Sequence, residues 1–220
     1  MTRADRHAAA APLGSVSSGG SGPESGGPAG GESAAPLGGA GRGPAPLVVV
    51  MGVSGSGKTT VGVALGRRLG VPFADADDFH SAEGIAKMSR GVPLDDGDRM
   101  PWLRAIGAWL AGHAAGGAVA SCSALKRSYR EVLREAAPGV CFVHLDGDAR
   151  EVRRRVAGRL GHFMPESLVE SQLATLEPLE ADEPGVVLDL GHGVEELVEE
   201  YLAAVARGGP CGGRPGRGER

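Results

Sequence analysis

The sequence contains no asparagine, only three cysteines, and no apolar run that approaches the length of a membrane span. The missing asparagine excludes the Asn-Lys-x-Asp element with which a GTPase normally recognises guanine. Because a helix needs about 20 consecutive apolar residues to cross a bilayer, we expect a soluble protein with no membrane partner.

The charge balance and the cysteine usage narrow the possibilities further. The net charge is −4 at pH 7, whereas a general nucleic-acid binder is normally basic, so we expect no nucleic-acid partner. Cys122, Cys141 and Cys211 are odd in number, lie far apart and lack metal-ligand spacing. This usage is typical of reduced thiols, and it predicts a cytoplasmic protein.

The composition divides the chain into three parts. Residues 1–46 are mostly Gly, Ser, Pro and Ala, and such a segment cannot bury enough apolar surface to offset the entropy lost on ordering. We predict a disordered extension over 1–46, the alternative being a start codon assigned too far upstream. A tail of similar composition covers 208–220, which leaves residues 47–207 as one domain.

The most informative stretch is Gly-Val-Ser-Gly-Ser-Gly-Lys-Thr at residues 52–59, between a β-branched apolar run and a helical pattern. It matches G-x-x-x-x-G-K-[ST], in which glycines let backbone N–H groups point at phosphate oxygens and the following helix adds its positive end. Lys58 can reach the β- and γ-phosphates, and the Thr59 hydroxyl can bind Mg²⁺. The predicted nucleotide contacts here are Gly52, Val53, Ser54, Gly55, Ser56, Gly57, Lys58, Thr59 and Thr60.

The periodicity along the domain predicts strands that alternate with helices. The predicted strands cover residues 47–51, 71–74, 118–121, 140–145 and 186–190. This order indicates an α/β fold, a five-stranded parallel sheet with helices on both faces. Ligands of such sheets bind beyond the carboxyl ends of the strands, where the phosphate loop, the acidic residues 75–78 and the stretch from Ser121 all lie.

Two carboxylates follow the second predicted strand. Asp75 and Asp77 are separated by one residue, so their side chains share a direction near the phosphate loop. Phosphoryl transfer to an alcohol needs one group to accept the hydroxyl proton and another to hold Mg²⁺ through water. We predict Asp77 as the base and Asp75 as the metal partner; the alternative is a solvated acidic turn.

Several cationic side chains face the same crevice in the predicted fold. Arg99 precedes a helix that we expect to begin at Pro101 with Asp98 as a possible cap. Lys126 and Arg130 open the helix after the third strand. These side chains can pair with an anion, although arginines at helix ends are more often solvated.

The predicted helix from Asp148 to Arg159 and the loop after it are rich in arginine. This composition suits a lid that closes over ATP and neutralises transition-state charge. We assign Arg155 and Arg159 to ATP, and we predict Lys58, Asp77, Arg99 and Arg155 as the catalytic residues. His80 and His162 are candidate ligand contacts, but a lone loop histidine is more often structural or exposed.

The sequence resembles the gluconokinase family over about residues 47–206, essentially the whole of the predicted domain. The blocks that carry the resemblance are 52–59, 73–80, 87–88, 91–99, 101–103, 122–126, 129–130, 161–164 and 172–177. The resemblance implies phosphorylation of D-gluconate by MgATP to 6-phospho-D-gluconate, which feeds the pentose phosphate pathway, and a homodimer. It also implies anion contacts from Arg99, Lys126 and Arg130, Asp77 at the accepting hydroxyl, and closure of the site by His162 and Gln172.

Two other functions remain open from the sequence. Another small-molecule kinase such as shikimate kinase would also suit the Asp75-x-Asp77 element, although blocks 96–103 and 121–129 favour gluconate. A P-loop switch that only binds nucleotide predicts the loss of Lys58, Thr59 or a carboxylate, and all of these are present.

Overall fold

The computed structural model describes residues 46–157, 166–209 and 211. Five parallel strands form one sheet in the order β2-β3-β1-β4-β5. The strands are β1 (Leu47–Met51), β2 (Phe73–Asp75), β3 (Ala118–Ser121), β4 (Val140–Asp146) and β5 (Gly185–Asp189). The predicted parallel α/β sheet is confirmed, with each predicted strand present.

Helices connect the strands and cover the sheet. They are α1 (Lys58–Leu69), α2 (Ala82–Ser89), α3 (Asp96–Gly112), α4 (Arg127–Ala136), α5 (Ala149–Ala157), α6 (Glu166–Thr175) and α7 (Val194–Ala206). A 3₁₀ turn, Ala76–Phe79, directly follows β2; we call it the Asp77 turn. The sequence pattern did not predict this turn, because four residues are too few to show a period.

The two faces of the sheet bury alternate residues of the central strand. Val48 and Val50 pack into one cluster with residues of α1 and α7. Leu47, Val49 and Met51 pack into a second cluster with residues of α3 and α4. Successive side chains of a strand point to opposite faces, so a continuous apolar run is what a strand covered on both sides requires.

Helix α3 begins earlier than predicted. Its N-cap is Asp95, whose side chain accepts from Asp98 N at 3.0 Å while Asp98 Oδ2 accepts from Asp95 N at 2.9 Å. This reciprocal capping box satisfies two N–H groups at once, so it outweighs the preference of proline for the first helical position. Pro101 therefore lies inside the helix, and the predicted start at Pro101 is wrong.

Two of the three cysteines are paired. Cys141 at the start of β4 and Cys211 after α7 form a disulfide with Cα atoms 5.3 Å apart, whereas Cys122 is a free, buried thiol. The expectation of reduced thiols is therefore wrong for Cys141 and Cys211, because the fold brings together residues 70 positions apart in the sequence.

The predicted disordered segments lie almost entirely outside the described residues. Of residues 1–46 the structure describes residue 46, and of 208–220 it describes 208, 209 and 211. The domain boundaries therefore stay predictions. Within the described ranges, no helix has the length and apolar character that crossing a membrane requires.

Candidate active site

The phosphate loop has the backbone geometry that its glycines predict. Gly52, Gly55 and Gly57 have φ values of 137°, 87° and 96°, in the region that only glycine enters without strain. Gly57 is the N-cap of α1 and makes no side-chain cap hydrogen bond. The start of α1 is therefore left without a capping side chain, as an anion site at a helix start requires.

Thr59 and Asp75 connect this loop to the end of β2. The Thr59 hydroxyl donates to Asp75 Oδ2 over 2.8 Å, and Lys58 Nζ donates to Val53 O over 3.0 Å. Hydroxyl and carboxylate oxygens are the ligands that Mg²⁺ prefers, and here they are adjacent. The residues present therefore fit a magnesium ion bound to Thr59 with Asp75 beside it.

Helices α5 and α6 lie directly against the phosphate loop. A Cβ atom on Gly55 would collide with the Val156 side chain of α5, so this glycine permits a close approach as well as a turn. From α6, Gln172 Oε1 accepts from Ser54 N over 2.7 Å. The structure thus places Gln172 on the phosphate loop, a contact that the sequence did not predict.

Asp77 is presented by a turn in which the peptide group between Ala76 and Asp77 is held on both sides. Asp75 Oδ1 accepts from Asp77 N over 3.0 Å, and Trp102 Nε1 donates to Ala76 O over 2.6 Å. The Asp77 side chain itself is 84% exposed, and His80 Nε2 lies 3.7 Å from its Oδ1. Its carboxylate is therefore open to a ligand, while its main chain is fixed.

His80 lies beneath the carboxylate, in a buried position. Its ring stacks on Trp102 with centroids 4.6 Å apart and planes 7° from parallel. Burial lowers the pKa of His80 below its usual value, although the charge of Asp77 acts in the opposite direction. A neutral imidazole next to Asp77 follows, so His80 adds no positive charge there at neutral pH.

Arg99 and Lys126 converge on Tyr129. The Arg99 guanidinium carbon is 5.7 Å from the tyrosine ring centroid and Lys126 Nζ is 5.2 Å from it. Lys126 Nζ also donates to both oxygens of Asp96, at 3.0 and 3.3 Å. Hydrogen bonds from Tyr129 and then from Lys126 lower the pKa of Asp96. Asp96 and Tyr129 were missed by sequence reasoning, although both lie in the family-like blocks.

The free thiol of Cys122 is buried between the phosphate loop and the residues around Asp77. Burial raises the pKa of Cys122 to about 12, and its charged neighbours include Lys58, Asp77 and Arg99. Gly52 N donates to Ser123 O over 3.3 Å in the same stretch. Lys58 and Asp77 thus follow β1 and β2, the two strands on either side of β3, at the carboxyl end of the sheet.

Arg130 has a different environment from the one that we expected. Its side chain is fully buried and forms an ion pair with Glu183, with Nε 2.6 Å from Oε1. Its Nη atoms also donate to four main-chain carbonyls, those of Ala124, Leu125, Glu177 and Pro178. Every side of the guanidinium is thus occupied by protein. Arg130 is therefore corrected from a substrate contact to a residue that holds loops together.

The predicted lid is described only in part. Arg155 donates from Nε to Glu151 Oε1 over 2.8 Å and from Nη2 to Leu190 O over 2.7 Å. Arg159 and His162 lie in the interval 158–165, outside the described residues. The ATP contacts of Arg155 and Arg159 and the closing role of His162 stay predictions.

A parallel sheet with a glycine-rich phosphate loop after β1, and an exposed aspartate beside it, defines the protein as a P-loop kinase. Residues 54–161 match the family model described as Shikimate kinase. The chain is also 53% identical over 160 residues to a gluconokinase of Gluconobacter oxydans, covering 70% of this chain and 88% of that protein. Similarly, it is 42% identical over 162 residues to the thermosensitive gluconokinase of Escherichia coli, covering 71% and 86%.

Solved structures give the same assignment. The crystal structure of a gluconokinase from Sinorhizobium meliloti superposes with a TM-score of 0.70 at 48% identity, covering 76% of this chain and 95% of that chain. The chain belongs to the gluconokinase family.

Proposed function

We propose that this protein transfers the γ-phosphate of ATP to D-gluconate, giving 6-phospho-D-gluconate and ADP. The observation that carries the proposal is the 2.8 Å hydrogen bond from Thr59 to Asp75, which joins the phosphate loop to the turn presenting Asp77. It supports an arrangement in which triphosphate and acceptor hydroxyl meet across one short gap, as in-line transfer requires.

In this reaction the phosphate-loop amides and Lys58 bind the triphosphate, and Thr60 adds a hydroxyl beside them. Mg²⁺, when bound, neutralises phosphate charge; Thr59 would hold it directly and Asp75 through water. Arg155 and Arg159 would add charge from the lid side.

Asp77 is the proposed base. As the hydroxyl proton of gluconate passes to Asp77, the hydroxyl oxygen forms its bond to the γ-phosphorus. The bond between the γ-phosphorus and its bridging oxygen breaks, and ADP leaves. Two features support this role: the Asp77 carboxylate is exposed, and the neutral His80 lies beneath it and leaves it open to a ligand.

The gluconate carboxylate is the proposed partner of Arg99 and Lys126. Their placement around Tyr129 supports one anion site beside Asp77. His80 and His162 remain candidate hydroxyl contacts. Gln172 would act from the phosphate-loop side, as its contact with Ser54 suggests.

The test is an ADP-release assay with MgATP and a panel of acceptors: D-gluconate, other sugar acids, shikimate and nucleoside monophosphates. We expect ADP release that depends on D-gluconate, with a product phosphorylated at the terminal hydroxyl. The match to the Shikimate kinase family model favours shikimate as the second candidate. ADP release with shikimate but not with gluconate would overturn the proposal.

Three further expectations belong to the same proposal. The family resemblance supports a homodimer, which light scattering on the purified protein would measure. It also supports a cytoplasmic location, which cell fractionation would test. Proteolysis of the intact chain would test the domain limits 47–207, because disordered flanks at 1–46 and 208–220 should be cut first.

A further inference from the structure

The Asp77 turn is too short to fix its own geometry. It is a four-residue 3₁₀ segment, and the hydrogen bond that ends it, from His80 N to Asp77 O, is 3.4 Å long. Short 3₁₀ pieces have poor hydrogen-bond geometry and depend on their surroundings. Since the Asp77 side chain is mostly exposed, the position of its carboxylate depends on what holds the backbone.

Trp102 of α3 holds this turn on both sides of Asp77. Its indole N–H donates to Ala76 O, one residue before Asp77, in a buried contact between positions 26 residues apart. Its ring stacks on His80, three residues after Asp77. One buried side chain therefore fixes both ends of the turn and leaves Asp77 projecting between them.

The same tryptophan connects the turn to the cationic side chains. Trp102 lies one helical turn after Arg99, so both lie on the same face of α3. The start of α3 also carries Asp96, whose carboxylate accepts a hydrogen bond from Lys126 Nζ. The indole is thus the contact that relates Asp77 to the helix that positions Arg99 and, through Asp96, Lys126.

We propose that Trp102 is a positioning residue whose indole N–H and ring set the distance between Asp77 and the anion-binding side chains of Arg99 and Lys126. This inference depends on the proposed function, since it concerns the acceptor of that reaction. It predicts that turnover is sensitive to the indole N–H, while nucleotide binding is not, because the hydrogen bond and the ring contact of Trp102 are both made with the segment 76–80.

The test compares Trp102→Phe with Trp109→Phe, the same replacement one heptad along α3. Trp109 is partly buried and contacts His113 and, edge-on, Phe79 at the end of the Asp77 turn. It therefore controls for loss of aromatic packing on the turn without loss of the hydrogen bond to Ala76 O. We expect Trp102→Phe to lower kcat with gluconate by about 10- to 100-fold, because misplacement of about 1 Å has that effect on turnover. The Kd of a non-hydrolysable ATP analogue should change less than twofold. Trp109→Phe should retain wild-type kcat, with a smaller loss of Tm than Trp102→Phe because Trp109 is only partly buried.

Several outcomes would overturn the inference while leaving the proposed function intact. One is an active wild type in which the two variants have equal kcat. Another is a Trp102→Phe protein that loses ATP-analogue affinity in parallel with kcat. If instead the wild type releases no ADP with gluconate, the proposed function itself fails.

A second measurement uses the unmodified chain, in case Trp102→Phe does not fold. The protein has two tryptophans, so its two indole N–H resonances can be assigned with Trp109→Phe. We expect the Trp102 resonance to shift on addition of D-gluconate and the Trp109 resonance to stay in place. An unmoved Trp102 resonance at saturating gluconate would contradict the inference.

Discussion

The phosphate half of the site, residues 52–59, and its acceptor half, Asp77 with Arg99 and Lys126, are built in different ways. The first is one run of consecutive residues whose conformation follows from three glycines with positive φ. The second joins three segments whose positions depend on Trp102, Asp96 and a buried ion pair. A local motif thus specifies its own geometry, whereas a dispersed site inherits its geometry from packing.

This difference predicts separable losses. Changes in the phosphate half should affect nucleotide binding and rate together, because the same groups hold the triphosphate before and during transfer. Changes in the acceptor half should leave nucleotide affinity intact and appear in turnover, in the KM for gluconate or in stability.

The largest effect is expected for Lys58→Ala. It removes the positive charge that contacts the triphosphate in both the ground state and the transition state. The kcat/KM for ATP should therefore fall by about 10³. Steady-state kinetics and titration with an ATP analogue would measure it. Arg68→Ala, an exposed change at the far end of α1, serves as the control. An unchanged nucleotide affinity in Lys58→Ala would contradict the phosphate-loop role.

The next effect concerns the support of the acceptor half. Glu183→Gln leaves the buried Arg130 guanidinium without its counter-charge, so the free energy of unfolding should fall by about 3 kcal/mol. Denaturant unfolding would measure it. The control is Asp182→Asn, one residue before Glu183, which removes the charge of an exposed ion pair with Arg127. It should lower the free energy of unfolding by less than about 1 kcal/mol. Equal losses in the two variants would show that burial of the Arg130–Glu183 pair is unimportant.

This pair also predicts a pH dependence. Burial raises the pKa of Glu183, but the hydrogen bonds from Arg130 outweigh it, and the net shift is downward from 4.5. A carboxyl with a lowered folded-state pKa contributes stability above its unfolded value and loses it as the pH falls through the folded value. The difference between wild type and Glu183→Gln should therefore shrink below about pH 4.5. A difference that is constant with pH would contradict the charged state of Glu183.

Asp77→Asn tests the acceptor half directly. The amide cannot take the hydroxyl proton, so kcat should fall by about 10² while ATP-analogue affinity stays nearly intact. The neighbouring Asp78→Asn is a matched control, since Asp78 is exposed on the same turn. Near-normal turnover in Asp77→Asn would show that another group is the base.

The same contrast explains what the sequence could and could not predict. The alternation of strands with helices, the glycine geometry and the position of Asp75 near the phosphate loop follow from sequence patterns, and they were predicted. The buried environment of Arg130 was not predicted. Sequence spacing places Lys126 and Arg130 at the start of one helix, but it does not reveal that Glu183, 53 residues from Arg130, pairs with Arg130 and not with Lys126. Cys141 and Cys211 were missed for the same reason: proximity across 70 residues leaves no local signal.

Lys126→Met is expected to have the smallest effect. It separates the attraction of gluconate by Lys126 from the repulsion of gluconate by Asp96. Losing one charge-assisted contact should raise the KM for gluconate about tenfold with the KM for ATP unchanged. Arg104→Met, an exposed change on α3, is the control. Because Lys126 also neutralises Asp96, part of the loss should come from the uncompensated Asp96 carboxylate repelling gluconate. The double variant Asp96→Asn/Lys126→Met should then have a lower KM than Lys126→Met alone. If the second substitution instead raises the KM further, Asp96 contacts the substrate itself and Lys126 is not its counter-charge.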